Sequence, residues 1–118
     1  MNLRLKSELY VQALVRRAQG AMAAAYVLAR GDKDAGGIYV RVNRLDGTVG
    51  VLNMFTDMDG AQSFRVVLPP GSAEAESDAL IERDRQRDPD LWVVDIEDAK
   101  GRHFLDGRID GKWEGEWD

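Results

Sequence analysis

The amino-acid sequence predicts an α+β domain: one antiparallel sheet of about five strands with two helices packed on it. Three observations lead there. Two segments space their apolar residues by three and four, and each is closed by a glycine or a proline. Between them, short runs alternate apolar with polar residues and are separated by turn dipeptides. The length of 118 residues suits one core rather than two, because a chain of this size buries roughly 65% of its unfolded surface.

Leu5 to Gln19 reads as the first helix. Leu5, Leu9, Tyr10, Ala13, Leu14 and Ala18 recur at helical spacing. Ser7 is placed to cap its start, with Glu8 in the first turn. Arg16 and Arg17 suit the negative end of the helix dipole, and Gly20 is a natural stop. Ala23 to Arg30 reads as a strand centred on Tyr26, Val27 and Leu28, followed by a turn-rich loop from Gly31 to Gly37. Ile38, Val40 and Val42 alternate with Tyr39, Arg41 and Asn43, the period of a half-buried strand. Asp46-Gly47 is a hairpin turn signal that leads into a partner strand from Thr48 to Phe55. After a turn at Asp57-Met58-Asp59-Gly60, Gln62 to Leu68 extends the meander, and Pro69-Pro70-Gly71 is expected to end the sheet.

Ser72 is placed to cap a second helix that runs to about Arg87. Glu74 and Glu76 near its start, and Arg83, Arg85 and Arg87 near its end, match the macrodipole. Its apolar content (Ala75, Ala79, Leu80, Ile81) is thin, so it should lie on the surface with one narrow buried stripe. Asp88-Pro89-Asp90 breaks it. Leu91 to Ile96 has a continuous apolar centre and belongs inside the sheet, with Trp92 a core or groove residue. A turn at Ala99-Lys100-Gly101 leads to a short piece from Arg102 to Leu105.

The chain divides at this point into a domain over residues 1–105 and a repetitive tail over 106–118. Asp106-Gly107-Arg108-Ile109 is followed by Asp110-Gly111-Lys112-Trp113 and Glu114-Gly115-Glu116-Trp117. Each unit is an acid, a glycine, a charged residue and an apolar one. In an extended strand Leu105, Ile109, Trp113 and Trp117 share one face. As a helix, each glycine costs about 1 kcal/mol. Ordering the tail costs roughly 1–2 kcal/mol per residue in backbone entropy. Burying an isoleucine and two tryptophans gives back about 1.5–3 kcal/mol apiece. The tail is therefore expected to be mobile unless it pairs with a sheet edge, its own or another copy's.

Composition removes several function classes. There is no cysteine, so disulfides and thiolate metal sites are excluded, and one histidine, His103, is too few for an ordinary zinc site. The net charge of −5 is split: residues 1–68 carry nine basic and six acidic side chains, residues 69–118 seven and fifteen. An acidic half repels phosphate, so nucleic acid is not an expected partner. The longest apolar run, Ala21 to Ala29, is about half the ~20 residues that span a bilayer. With no leader pattern at Met1 to Lys6, a cytoplasmic chain with no membrane partner is expected.

No phosphate-loop, dinucleotide, nucleophile-elbow or zinc-peptidase pattern occurs. Asp57 and Asp59 before Gly60 resemble a calcium loop only superficially, because the later ligands and the closing glutamate are missing. Asp32 and Asp34 in the glycine loop read as a turn. No cofactor is implied. His103 next to Phe104 lacks a catalytic partner in sequence and reads first as a structural histidine.

Several strings together carry a resemblance. They are Leu3-Arg4-Leu5-Lys6-Ser7-Glu8-Leu9, the Arg16-Arg17 pair, Arg30-Gly31-Asp32-x-Asp34-Ala35-Gly36, Asp88-Pro89-Asp90-Leu91-Trp92-Val93-Val94 and Gly101-Arg102-His103-Phe104-Leu105. The chain up to about Leu105 resembles the bacterial family called domain of unknown function 1491. That resemblance implies a cytoplasmic bacterial protein and supplies no catalytic residue to carry over.

The leading expectation is a non-catalytic binding or protein-interaction module, self-associating as a homodimer or docking another protein through the tail or a sheet edge. Its candidate contacts are Ile109, Trp113, Trp117, Trp92, Arg16 and Arg17. A second reading is a small enzyme with a polar site near His103 that uses Asp95 or Asp106. A third is an accessory RNA-binding protein that uses the Arg16/Arg17 face.

Overall fold

A computed structural model describes residues 6–56 and 58–113. The element order is α1 (Ser7–Gly20), β1 (Ala24–Ala29), β2 (Ile38–Asn43), β3 (Thr48–Thr56), β4 (Gln62–Ala73), α2 (Glu74–Arg87), β5 (Trp92–Glu97) and β6 (Ile109–Asp110). The α+β class with two helices on one sheet holds. The sheet itself differs from the expectation: it has six strands, in the order β1-β5-β2-β3-β4-β6, and it is mixed rather than antiparallel. β5 runs parallel to β2 and antiparallel to β1, and β6 runs parallel to β4. The reason is the return through α2. Leu91, Trp92, Val93 and Val94 are all buried, and a strand that is apolar on both faces gains most from an interior position. β5 therefore inserts between β1 and β2 instead of extending the meander.

Helix α1 covers one face of the sheet. Val11, Leu14 and Ala18 are buried against Ala25, Ile38, Val40, Val42, Leu52, Phe64, Trp92, Val94 and Ile96. The buried stripe is turned from the expected one, since Leu9 is 51% exposed and Val11 takes the core position. Ser7 is the first helical residue rather than the cap. Its Oγ donates to Gly36 O at 2.5 Å, and the helix's first amides, Ser7 N–H and Glu8 N–H, donate to the carbonyls of Asp34 and Lys33. The 31–37 loop thus satisfies the helix start with backbone oxygens.

That loop is locked to the turn before β5. A Cβ on Gly31 or Gly36 would lie 1.9 or 2.1 Å from Asp90 O. Only glycine admits this approach. Asp32 N–H donates to the same Asp90 carbonyl at 3.0 Å, and the Trp92 indole N–H donates to Asp32 O at 2.7 Å. Trp92 is a core residue, with the Arg30 guanidinium 5.1 Å above its ring.

The β2–β3 hairpin turns where the sequence places it. Asp46 Oδ1 accepts from Thr48 N–H and from Thr48 Oγ1, and Gly47 takes a φ of +90°. The sheet does not stop at Pro69. β4 continues to Ala73, with its register against β3 slipping between Val49 and Val51. On its other side, β4 pairs with β6 only at Phe64 and Arg65. The two prolines therefore stand where no ladder bond is required of them. Ser72 Oγ donates to Pro69 O rather than capping α2, and Glu76 Oε1 accepts from Ala73 N–H at that helix's start. Arg102 to Leu105 forms no strand.

Helix α2 lies on the opposite face of the sheet from α1. It packs on β3 and β4, over Val49 and Val51. Tyr39 of β2 reaches it by donating from its hydroxyl to Asp84 Oδ2 at 2.5 Å. Burial, followed by that hydrogen bond, pushes the Tyr39 phenol up to about 12. The helix stops short of β1, where Tyr26 and Leu28 are 43% and 45% exposed on this face.

Candidate functional site

Three polar side chains stand abreast on the α2 face of the sheet. The register sets Tyr26 of β1 opposite Asp95 of β5, and Asp95 opposite Arg41 of β2. Alternation sends all three to the face that α1 does not cover. Arg41 Nε donates to Asp95 Oδ1 at 2.7 Å, and Nη1 donates to Asp78 Oδ1 at 2.8 Å and to Ser77 Oγ at 3.3 Å. Asp95 is 0% exposed, and its second oxygen, Oδ2, is buried with no hydrogen-bond partner among the described residues. One guanidinium is thus shared by two carboxylates. Burial works against the charge on Arg41, but the hydrogen bond and charge of Asp95 outweigh it and raise its pKa.

Tyr26 closes the row on the β1 side. Its hydroxyl donates to Glu97 Oε2 at 2.9 Å. That hydrogen bond, then desolvation and the nearby charge of Asp95, raises the phenol far above its ordinary value.

Between this row and α2 opens a cleft of about 530 Å³. Leu28, Ala29, Ile81 and Val93 give it aliphatic walls, and Arg41, Asp78, Glu82 and Arg85 give it polar ones. The volume is that of a small-ligand or side-chain pocket. Arg85 is occupied structurally: its Nε donates to Leu91 O, and its Nη2 donates to Arg30 O and Pro89 O. It ties α2 to the residue after β1 and to the turn before β5 at one end of the cleft. The cations are committed to protein acceptors, while acidic oxygen remains along the wall. Chemically the arrangement binds: aliphatic walls take a carbon chain and carboxylates take a donor.

The residues singled out from sequence are dispersed. Asp95 is in the row just described. His103 lies on the other side of the sheet, against Trp113, with ring centroids 5.8 Å apart. Its Nδ1 accepts from Leu105 N–H at 2.8 Å, and burial lowers its pKa. The sheet therefore separates His103 from Asp95. Asp106 is exposed, and its charge helps to raise the Tyr10 phenol, behind the larger effect of burial. Arg16 is exposed, and Arg17 donates from Nη1 to the Phe104 carbonyl.

Ile109 and Trp113 are used inside the fold. Ile109 pairs with Phe64 through β6, and both pack against the core. The Trp113 indole N–H donates to Gly101 O at 3.1 Å, and its ring lies so close over β3 that a Cβ on Gly50 would be 2.6 Å away. Trp117 falls outside the described residues, as does Asp57. Asp78, Glu82 and Glu97 went unnoticed in the sequence, which offers Tyr26 only as the centre of a strand. Their signal was the polar position in a period-two strand or on a thin helix, which has no meaning until the strand order is known.

Among the described residues, no group of three or more His, Asp or Glu is arranged to hold a metal ion. No helix among them is long and apolar enough to cross a membrane.

Comparison with known proteins agrees with this architecture. The family model described as a protein of unknown function (DUF1491) matches residues 5–106. A crystal structure of a DUF1491 family protein from Caulobacter crescentus CB15 is similar at 38% identity and a TM-score of 0.82, covering 91% of this chain and 100% of that one. An NMR structure of a DUF1491 family protein from the same organism gives 37% and 0.81, over 93% of this chain and 100% of that one. A solution structure of an A. tumefaciens protein gives 34% and 0.79, over 95% of this chain and 100% of that one. No curated protein matches. The chain belongs to the DUF1491 family.

Proposed function

We propose that this domain is a protein-interaction module that takes an extended segment of a partner on the outer edge of β1. One observation carries the reading. β1 is the terminal strand of the sheet, six residues long, and its sequence Ala-Ala-Tyr-Val-Leu-Ala holds no charge and no proline. Edge strands are commonly protected by charges, prolines, shortness or bulges, because their unpaired backbone recruits other strands. β1 has only a bulge between Val27 and Ala29. The other end of the sheet is handled differently, with β6 two residues long and built from the chain's own tail. Gln19 Nε2 donates to Ala25 O at 3.2 Å, so an added strand would meet β1 mainly from Tyr26 to Ala29, beside the cleft.

The experiment is a selection of extended peptides on the full chain, followed by affinity measurement with wild type and with Leu28→Lys. A charge placed on this edge should weaken selected peptides by about tenfold or more, because blunting an edge removes its use as a template. Selected peptides indifferent to Leu28→Lys contradict the reading. A solution mass that doubles with concentration, and returns to monomer in Leu28→Lys, identifies the added strand as β1 of a second copy.

A further inference from the structure

The edge of β1 says where a segment would lie, and the cleft beside it says which side chain that segment would carry. Resting on the edge reading, we infer that the cleft receives a basic side chain, lysine or arginine, from the docked segment. Two independent features lead there.

The first is the balance of charge. Asp78 and Glu82 line the cleft with Arg41 and Arg85, and Asp95, buried behind Arg41 and paired with it, leaves these five groups with one negative charge in excess. Arg85 is spent on three backbone carbonyls, and Arg41 is divided between Asp95 and Asp78. Asp95, wholly buried, still has an oxygen with no hydrogen-bond partner among the described residues. A carboxylate in a poorly solvated place, with half a cation to balance it, makes a negative potential that extends into the cleft. A cation entering there relieves it, and an anion meets it as repulsion.

The second is shape and surface. Leu28 and Ala29 of β1, Val93 of the adjoining β5 and Ile81 of α2 make an aliphatic corridor beside Glu82 and Asp78. Lysine and arginine carry three or four methylenes below a charged head. Such a stem lies along an apolar surface while the head stays with carboxylates and water. A short acidic or hydroxylated side chain would leave the walls uncovered, and a purely aliphatic one would leave the carboxylates without a donor. The corridor starts at β1 itself, so side chains alternating from an added strand enter it directly. The net charge of −5 also favours encounter with a basic partner.

The test uses the isotope-labelled full chain and three blocked hexapeptides of valine and threonine, differing only in a central lysine, norleucine or glutamate. The lysine peptide should shift amides of β1 and of α2 around Ile81 and Glu82. It should bind about five- to tenfold more tightly than the norleucine peptide at low salt. That preference should shrink in about 0.5 M salt and in the double variant Asp78→Asn/Glu82→Gln. Equal binding of all three peptides on β1 overturns the basic specificity and leaves the edge reading intact. A preference for glutamate, or a lysine preference untouched in the double variant, also overturns it. Failure of all three to shift β1 overturns the inference and the edge reading together.

Discussion

Arg41 Nε meets Asp95 Oδ1 at 2.7 Å across two parallel strands, in the middle of the sheet and under the second helix. Asp95 has no exposure, and its second oxygen has no hydrogen-bond partner among the described residues. Breaking such a pair from one side leaves an uncompensated buried charge, which costs about 3–5 kcal/mol. Arg41→Met should therefore lower unfolding free energy by that order in denaturant titration. The double variant Arg41→Met/Asp95→Leu should recover most of it. A single variant that loses less than about 1 kcal/mol would show that the pair does not matter to folding.

Gly50 is where the tail's first tryptophan lands. A Cβ there would sit 2.6 Å from the Trp113 ring and 3.1 Å from Pro70 Cα. Gly50→Ala should destabilise by about 1–3 kcal/mol, the usual cost of overpacking. The cost should drop in a Trp113→Ala background, where the ring is gone, and a double-mutant cycle reads the coupling directly. Strict additivity of the two changes would mean that Trp113 does not occupy this position in solution.

His103 gives the fold a pH dependence of known sign. Burial lowers its folded pKa below the ordinary imidazole value of 6.5, so the folded state binds fewer protons than the unfolded chain between the two values. The associated stability is complete above the unfolded value and is lost as pH falls through the folded one. Thermal midpoints measured between about pH 5 and 7.5 should decline on the acid side of that window, and the decline should be reduced in His103→Gln. Parallel curves for the two proteins would assign the decline to other groups.

Gly36 has its own consequence. The Asp90 carbonyl fills the space that a side chain would need, at 2.1 Å from an ideal Cβ. Gly36→Ala should force the 31–37 loop off the turn before β5. The expected loss is about 2–4 kcal/mol, among the larger single-site effects, with loss of the near-ultraviolet signal of Trp92, whose indole depends on Asp32 O. Unchanged stability and spectrum would rule out this packing.

Local signals were legible in the sequence and crossovers were not. Helix α1, the Asp46-Gly47 hairpin and the start of β4 follow from periodicity and turn chemistry within a few residues. The place of β5 depends on a connection that passes over the whole meander, and no local pattern encodes which strands it separates. The row Tyr26–Asp95–Arg41 exists only because of that insertion, so its members look like three unrelated polar positions in the chain. Asp95 and His103 are eight apart in sequence and were read as neighbours, yet alternation sends Asp95 to the α2 face and the turn after β5 carries His103 to the other. The tail's repeat showed that Ile109 and Trp113 share a face. It could not show that their neighbours, Phe64 and Gly50, lie in the chain's own sheet.

The most direct measurement of the central claim is amide hydrogen exchange on the full chain, alone and with a peptide selected on it. Exchange should slow mainly in Tyr26 to Ala29 and in the turn of α2 that carries Ile81 and Glu82. Slowed exchange confined to β4, β6 and the Trp113 region, with β1 unchanged, would contradict it.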